Sequence, residues 1–253
     1  MRNKKMFLTL IVAFCLGLLS QNLFAQSKNL ARVVFVKVKT GQGEDFAAAL
    51  KKHVEWRKQQ EDPWNWIVHQ VVNGKNLGDF IIRSGGHSWK DFDDYAGFLQ
   101  KSAPEFYKTV GPYIKDISSI ITAGDTVNVD WPENTADVNL LSIISYHIKP
   151  GHGQAFTKAV SMFHKAIQDN NRDAHYSFGW TVNGEKGPTV RLALPYQNWA
   201  DVAGSEESLS DFIMRVLGEE KAKDLFEDFN DTYTSMESMM LLVRRDLSFL
   251  PDK

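Results

Sequence analysis

The chain has 253 residues, of which 43% are hydrophobic and 24% are charged, proportions that are ordinary for a globular protein and exclude intrinsic disorder. Lys and Arg together number 29, against 31 for Asp and Glu. This slightly acidic balance argues against nucleic-acid binding, which depends on basic side chains that neutralise phosphates. We therefore predict a globular protein that has no nucleic-acid partner.

The first 25 residues differ in character from the rest. Basic residues at positions 2, 4 and 5 precede the apolar run Met6–Leu19, and a short polar stretch then ends in the small residue Ala25. This order predicts a secretory signal peptide, residues 1–25. The run is shorter than the roughly 20 residues that cross a bilayer, so no membrane span is expected in the mature form. We predict an exported protein, periplasmic or secreted, and cleavage would also remove the only cysteine, Cys15.

A repeat organises the remainder of the chain. The stretch Val33–Phe46 has its counterpart 110 residues later in Ile143–Phe156, including both glycines of the turn. The same offset relates two Asn-Gly pairs, at 73–74 and 183–184. Because one register holds across strand, turn and helix signals, the sequence predicts two similar halves. The predicted domains are a first repeat at 26–127, a linker at 128–138 and a second repeat at 139–253.

In the first half, β-branched runs predict strands and apolar residues three or four apart predict helices. The Asn-Gly pair is a hairpin signal, and Ser88 with Asp91 resembles a helix capping arrangement. The predicted elements are a strand at 33–39, a helix at 44–60, strands at 64–72 and 78–84, a helix from 88 to 95 with a further piece at 105–114, and a strand at 118–123.

The second half repeats this order. Its predicted elements are a strand at 140–149, a helix at 154–169, strands at 176–182 and 189–194, helical pieces at 198–202, 209–217 and 219–233, and a strand at 238–244. Each half is thus β-α-β-β-α-β, the ferredoxin-like unit. The predicted fold class is α+β, with two tandem repeats of which each can cover the open sheet face of the other.

A strand that ends in Lys-x-Gly-x-Gly, a long helix, a hairpin and then Ser-Trp-x-Asp-Phe together resemble the dimeric α/β-barrel superfamily. This superfamily includes antibiotic-biosynthesis-type monooxygenases and the NIPSNAP and EthD-like proteins, and the resemblance covers 33–123 and 140–244. It implies a barrel made from two paired sheets, which this chain would build alone as a monomer with an internal pseudo-dimer. The chemistry that it implies includes cofactor-independent oxygenation, isomerisation and haem binding.

Two histidines are candidate catalytic residues. His53 lies on the buried face of the first helix, where the second half has Phe163. It is either a core histidine with satisfied ring nitrogens or a general base or haem ligand that faces a pocket. His69 lies on a strand face whose counterpart carries Gly179, and such small and polar residues suggest a cavity behind that face.

Further residues are candidate ligand contacts because of their strand positions. Arg83 and Arg191 lie on the third strand of each half, where they could fix a carboxylate, although exposed edge charges explain them equally well. Trp66 belongs to an aromatic strand face that the pattern favours as packed core. The full set of predicted ligand-binding residues is Lys37, Trp66, Arg83, His147, His175 and Arg191. No pair of histidines has metal-site spacing on a helix, so no metal is predicted.

The sequence therefore predicts an exported barrel protein that binds a small apolar or aromatic molecule. Any oxygenase- or isomerase-type chemistry would need no cofactor and would use His53 or His69 as the base. One alternative is a haem-binding or haem-handling protein with His53 as the iron ligand. The other is a non-catalytic interaction module of the cell envelope.

Overall fold

The structure is a computed structural model that describes residues 27–250, and the predicted signal peptide at 1–25 lies outside the described residues. Eight β-strands and five α-helices lie within this range. The strands are β1 Leu30–Val38, β2 Ile67–Gly74, β3 Phe80–His87, β4 Ile114–Gly124, β5 Leu140–Ile148, β6 Ser177–Asn183, β7 Thr189–Tyr196 and β8 Tyr233–Val243. The helices are α1 Gly43–Gln59, α2 Trp89–Thr109, α3 Gly153–Asp169, α4 Leu209–Leu217 and α5 Glu219–Asn230. None of the helices between residues 27 and 250 combines the length and the apolar character that crossing a bilayer requires.

The eight strands close into one antiparallel barrel in the order β1-β3-β2-β8-β5-β7-β6-β4. The strands of the first half therefore stand in the order β4-β1-β3-β2, and those of the second half stand in the matching order β8-β5-β7-β6. Two seams join these groups: β2 pairs with β8, and β4 pairs with β6. Each four-stranded sheet thus covers both free edges of the other, which removes the unpaired backbone groups of an open sheet. The predicted α/β barrel is confirmed.

The strands pack on helices outside the barrel and on one another inside it. The outer core of the first half contains Val36, Phe46, Leu50, Val68, Phe80 and Phe106. The outer core of the second half contains Tyr146, Phe156, Val190, Phe212 and Ile213. Inside the barrel, Val71, Ile81 and Leu241 form a smaller buried cluster. The sheet therefore separates two kinds of space, one under the helices and one within the barrel.

Two glycines at equivalent positions allow the seams to close. Gly74 has a φ of 98°, and a Cβ placed there would lie 2.9 Å from the carbonyl oxygen of Ser238 in β8. Gly184 has a φ of 96°, and its Cβ would lie 2.5 Å from the carbonyl oxygen of Ser119 in β4. Each glycine thus lets one half's hairpin approach the last strand of the other half, at a distance that leaves no room for a side chain.

Several predicted boundaries differ from the structure: β4 and β8 begin earlier than predicted, at Ile114 and Tyr233, and α5 ends at Asn230. Two further differences lie in the first half. The second helix of the first half is continuous and includes Pro104, whereas two separate pieces were predicted; its predicted capping box at Ser88 and Asp91 is present. The strand predicted to begin at 64 begins at Ile67, because Trp64 leaves the sheet and stacks with its ring centroid 3.7 Å from that of His87. Both differences result from packing between elements, which a local pattern does not contain.

The C-terminal segment, which was predicted as part of the second repeat, returns to the first half. Leu247 is buried in the outer core of the first half, and Phe249 packs there as well. The backbone of Phe249 also exchanges two hydrogen bonds with that of Trp66, each 2.7 Å long. The last residues of the second half therefore help to complete the core of the first.

The seam glycines give a stability prediction. Gly184→Ala is expected to lower the free energy of unfolding by roughly 3 kcal/mol, because backbone strain is added to a clash with the neighbouring strand. The matched control is Gly187→Ala, at a φ of 71° with no heavy atom within 4 Å of the added carbon. There only the strain of the left-handed conformation applies, about 1 kcal/mol. Urea denaturation measures both, and equal losses would contradict the proposed role of Gly184 in the seam.

Candidate functional site

The second half contains a cavity of about 690 Å³ between the outer face of the sheet and the helices α3, α4 and α5. We call this cavity the second-half pocket. Its volume lies within the range of small-molecule sites. Most of its lining is aromatic or aliphatic: Tyr146, Val160, Phe163, Ile167, Tyr176, Phe178, Leu192, Leu194, Leu209, Phe226 and Phe229.

A helix break accompanies this space. α4 ends at Leu217 because Gly218 adopts a φ of 84°, and α5 begins at the next residue. The first half has the single 21-residue helix α2 in the corresponding place. Two short helices joined at a glycine therefore cover the sheet of the second half, where one long helix covers that of the first.

Side chains fill the equivalent space of the first half. Arg57 stands 110 positions before Ile167, and Trp66 stands 110 positions before Tyr176. The guanidinium carbon of Arg57 lies 3.6 Å from the ring centroid of Trp66, so the two side chains stack. The cavity that remains, which we call the first-half cavity, has a volume of only about 120 Å³.

The buried charge of Arg57 needs partners. Its guanidinium pairs with the carboxylate of Asp62 and binds the hydroxyl of Tyr95, and the side chains of both Arg57 and Asp62 are almost inaccessible to solvent. Burial raises the pKa of Asp62, while the charge of Arg57 opposes this shift. These two partners hold Arg57 in the first-half core, because removing Asp62 would leave an uncompensated buried charge.

Polar groups gather at one side of the second-half pocket. The Nδ1 atom of His164 lies 2.7 Å from the hydroxyl oxygen of Tyr176. Asp130 accepts a hydrogen bond from Gln168 Nε2 at 3.0 Å, and its other carboxylate oxygen lies 3.0 Å from His175 Nδ1. The backbones of Asp130 and Tyr176 also pair. Asp130, a residue of the predicted linker, thus pairs with the chain at Tyr176, immediately before β6.

Two of these groups have perturbed pKa values. Burial raises the pKa of Tyr176 to about 12, so its hydroxyl keeps its proton at neutral pH. The hydrogen bond from Gln168 is the first cause that lowers the pKa of Asp130, and His175 adds to it. The pocket therefore has a protonated phenol beside an imidazole, and the Asp130 carboxylate binds His175, another lining residue.

The predicted catalytic histidines lie outside this pocket. His53 is completely buried, with its ring 5.3 to 5.7 Å from the rings of Trp56, Trp66 and Phe106. Neither of its ring nitrogens has a hydrogen-bond partner among residues 27–250. Burial, with the charge of Arg57 as a second cause, lowers the pKa of His53 to about 3, so the ring is neutral at pH 7. His69 lies on the inner face of the barrel.

The six predicted ligand-binding residues lie in different places. His175 lines the second-half pocket, whereas Trp66 lines the first-half cavity. Arg83 and Arg191 lie on the inner side of the barrel strands, as judged from their pairing partners. Two remain near the strand ends: His147 has its Nδ1 atom 3.4 Å from the Thr189 hydroxyl, and Lys37 is exposed.

The sequence reasoning did not single out the His164–Tyr176 pair. Tyr176 and Phe178 lie on the aromatic strand face of the second half, which the sequence pattern favours as packed core, as it does for Trp66, because aromatic stripes usually fill volume. In the structure both line the pocket. The signal that could have revealed this was Gly218, which interrupts the helical pattern over the aromatic strand face and has no counterpart within α2.

No protein-family model matches the chain, and no curated protein matches it. Solved structures do. An anthrone oxidase-like protein is similar over 87% of this chain and 93% of its own, with 14% identity and a TM-score of 0.53. A proposed monooxygenase from Lactobacillus acidophilus NCFM is similar over 87% of this chain and 94% of its own, with 12% identity and a TM-score of 0.51.

A mutant of chlorite dismutase from Candidatus Nitrospira defluvii is similar over 88% of this chain and 94% of its own, with 8% identity and a TM-score of 0.52. At such low identities the likeness concerns the fold. The chain shares its barrel fold with these proteins, and the resemblance predicted from the sequence motifs is confirmed at the level of the fold.

The buried histidine generates a pH prediction. Between pH 6.5, where the unfolded histidine takes up its proton, and the folded pKa of about 3, stability falls as the pH falls. Replacing His53 by Phe, the residue of the second half, removes this contribution. The loss of unfolding free energy between pH 7 and 4.5 should shrink by roughly 2 kcal/mol.

Urea denaturation of wild type and His53→Phe at the two pH values measures the effect. His152→Phe, a change at an exposed histidine, is the matched control and should keep the wild-type dependence. An equally steep loss in His53→Phe and wild type would show that the ring of His53 is not protected from protons.

Proposed function

We propose that the protein binds a small aromatic molecule in the second-half pocket. The observation that carries the proposal is a volume of about 690 Å³ with mostly aromatic and aliphatic walls, among which lie the His164–Tyr176 pair and a few charged side chains. Apolar walls supply affinity, and a few polar groups fix the orientation of a ligand. The name of one similar protein, an anthrone oxidase-like protein, supports an aromatic ligand.

The His164–Tyr176 pair provides acid–base chemistry for such a ligand. When Nδ1–H of His164 donates to the Tyr176 oxygen, Nε2 has a free lone pair and can accept a proton from the ligand. The hydroxyl hydrogen of Tyr176 then donates to a ligand oxygen. Removing a proton from the carbon next to a carbonyl group, or from a phenol oxygen, makes the ligand electron-rich enough to react with O₂ without a cofactor. For anthrone, the overall reaction with one O₂ gives anthraquinone and one water.

The two halves take the place of the two subunits of a dimer in this proposal. Equivalent strand orders in the two halves and equivalent glycines, Gly74 and Gly184, at the two seams support a tandem duplication that folds as a monomer. The pattern of residues 1–25 supports export, in which case N-terminal sequencing of the mature protein reads a chain that begins at Gln26.

A fluorescent aromatic ligand, whose emission changes when it binds, tests the proposal. Leu192→Trp fills part of the pocket and should weaken the binding of 2-naphthol, followed by naphthol fluorescence, by roughly tenfold or more. Leu77→Trp adds the same side chain at a residue that is 70% exposed, and it should bind like wild type. Equal affinities for all three proteins would reject the second-half pocket as the ligand site.

Turnover is tested separately with anthrone and O₂. Tyr176→Phe keeps the ring but removes the hydroxyl, so we expect it to keep anthrone binding and lose roughly 100-fold in rate. Oxygen consumption and anthraquinone absorbance measure the reaction. Binding without any turnover in the wild type would leave a ligand-binding protein and remove the catalytic part of the proposal.

A haem-binding function is the second candidate. His53 does not fit this role, because its ring is enclosed by aromatic side chains beside a cavity of only about 120 Å³. His164 fits better: it lines a pocket of about 690 Å³, and Tyr176 holds its Nδ1 atom, which leaves Nε2 for iron. A bound haem would supply oxygen or one-electron chemistry.

Titration with haemin distinguishes the two candidates. A Soret shift that is present in wild type and His53→Ala but lost in His164→Ala supports haem binding at this pocket. Haemin that leaves the Soret band unshifted in the wild type removes the haem candidate and leaves the cofactor-independent function.

A further inference from the structure

The barrel interior is a separate space on the other face of the sheet from the second-half pocket. In the barrel order, β2 and β3 lie diametrically opposite β6 and β7. The inward-facing residues near one end are Ile67, His69 and Arg83 in the first half and Ser177, Gly179 and Ala193 in the second. Small residues thus face large ones. A Cβ added at Gly179 would meet only Thr122, at 3.9 Å, so the space beside it is open.

Arg83 points into this space. It pairs across the strands with Val33 and Ile67, and its guanidinium lies over Gly85, where an added Cβ would be 2.6 Å from one terminal nitrogen. The side chain is exposed, yet burial lowers the pKa of its guanidinium. Because Arg83 lies at an inward-facing strand position, its exposure shows that solvent reaches the barrel interior beside it. Among residues 27–250 no side chain forms a hydrogen bond or ion pair with Arg83.

His69 supplies a second polar group beside Arg83. It is 5% exposed, and its Nδ1 atom has no hydrogen-bond partner within the described part of the chain. Burial lowers its pKa to about 4, and the charge of Arg83 is the second cause. The ring is therefore neutral at pH 7, and an orphaned ring nitrogen next to a cation is costly unless a ligand occupies the space.

Arg191, the other inward-facing arginine discussed above, differs from Arg83 because it has partners within the protein. Arg191 donates to both carboxylate oxygens of Glu185, at 2.7 and 2.9 Å, and to the hydroxyl of Thr181 at 2.7 Å. Its charge is therefore balanced inside the protein. Arg83, in contrast, has no carboxylate partner among residues 27–250.

We propose that the barrel interior binds a small organic carboxylate whose oxygens pair with Arg83. A planar guanidinium suits the two oxygens of a carboxylate. The apolar cluster inside the barrel, which includes the partly buried Val33 and Leu141, accommodates the organic body of the ligand. The proposal is independent of the second-half pocket, because the sheet separates the two spaces.

Benzoate and its neutral relative benzamide are the probes, and isothermal titration calorimetry is the measurement. Wild type should bind benzoate and not benzamide, because only the anion balances Arg83. Arg83→Gln should weaken benzoate binding by roughly tenfold or more, whereas Arg191→Gln should change it by less than about twofold. Equal binding of benzoate and benzamide, no benzoate binding by wild type, or unchanged affinity in Arg83→Gln would overturn the proposal.

A second variant leaves the arginine in place. Ala193→Leu fills the hollow from the opposite wall and should also abolish benzoate binding. Full benzoate affinity in this variant would contradict the placement of the site. Leu192→Trp, on the outer face of the same strand, should keep benzoate binding, so failure of this site and failure of the second-half pocket give different results.

Discussion

The mutual closure of two four-stranded sheets is the constraint on which this molecule depends. Each sheet has two edges with unpaired backbone groups, and each edge is covered by a strand of the other half. The closure requires backbone contact so close that Gly74 and Gly184 cannot carry side chains. The C-terminal segment extends this dependence, because Leu247 of the second half is buried in the core of the first. Neither half therefore has a complete core without the other.

Within this shared frame the two halves use the space under their helices differently. The first half fills it with Arg57 stacked on Trp66, and it needs the buried carboxylate of Asp62 to balance the charge. The second half has Ile167 and Tyr176 at the same positions, and its covering helix is divided at Gly218. Closing both seams fixes the positions of the strands, but it does not determine the length or the number of the helices that cover each sheet. One half can thus become structural support while the other keeps an open pocket.

The sheet also separates two environments of different character. The second-half pocket is aromatic, with its acid–base groups at one side, whereas the barrel interior near β3 contains an unbalanced cation. A cation without a partner in the protein attracts an anion, while an aromatic pocket favours a ligand whose apolar surface is removed from water. The two spaces therefore favour different ligands: a neutral aromatic molecule under the helices and an anion within the barrel.

The sequence by itself predicted two similar halves, the β-α-β-β-α-β order of each half and the barrel fold, because repeats and periodic patterns are local properties. It also placed His69 on a strand face that suggests a cavity, since side chains alternate along a strand, and it named Arg83 as a possible carboxylate contact. Only the tertiary structure decided that the pocket lies in the second half beside His164 and that His53 is enclosed by aromatic rings. Those outcomes depend on contacts between distant residues, such as Arg57 with Trp66, and on how a helix break at Gly218 changes the packing above the sheet.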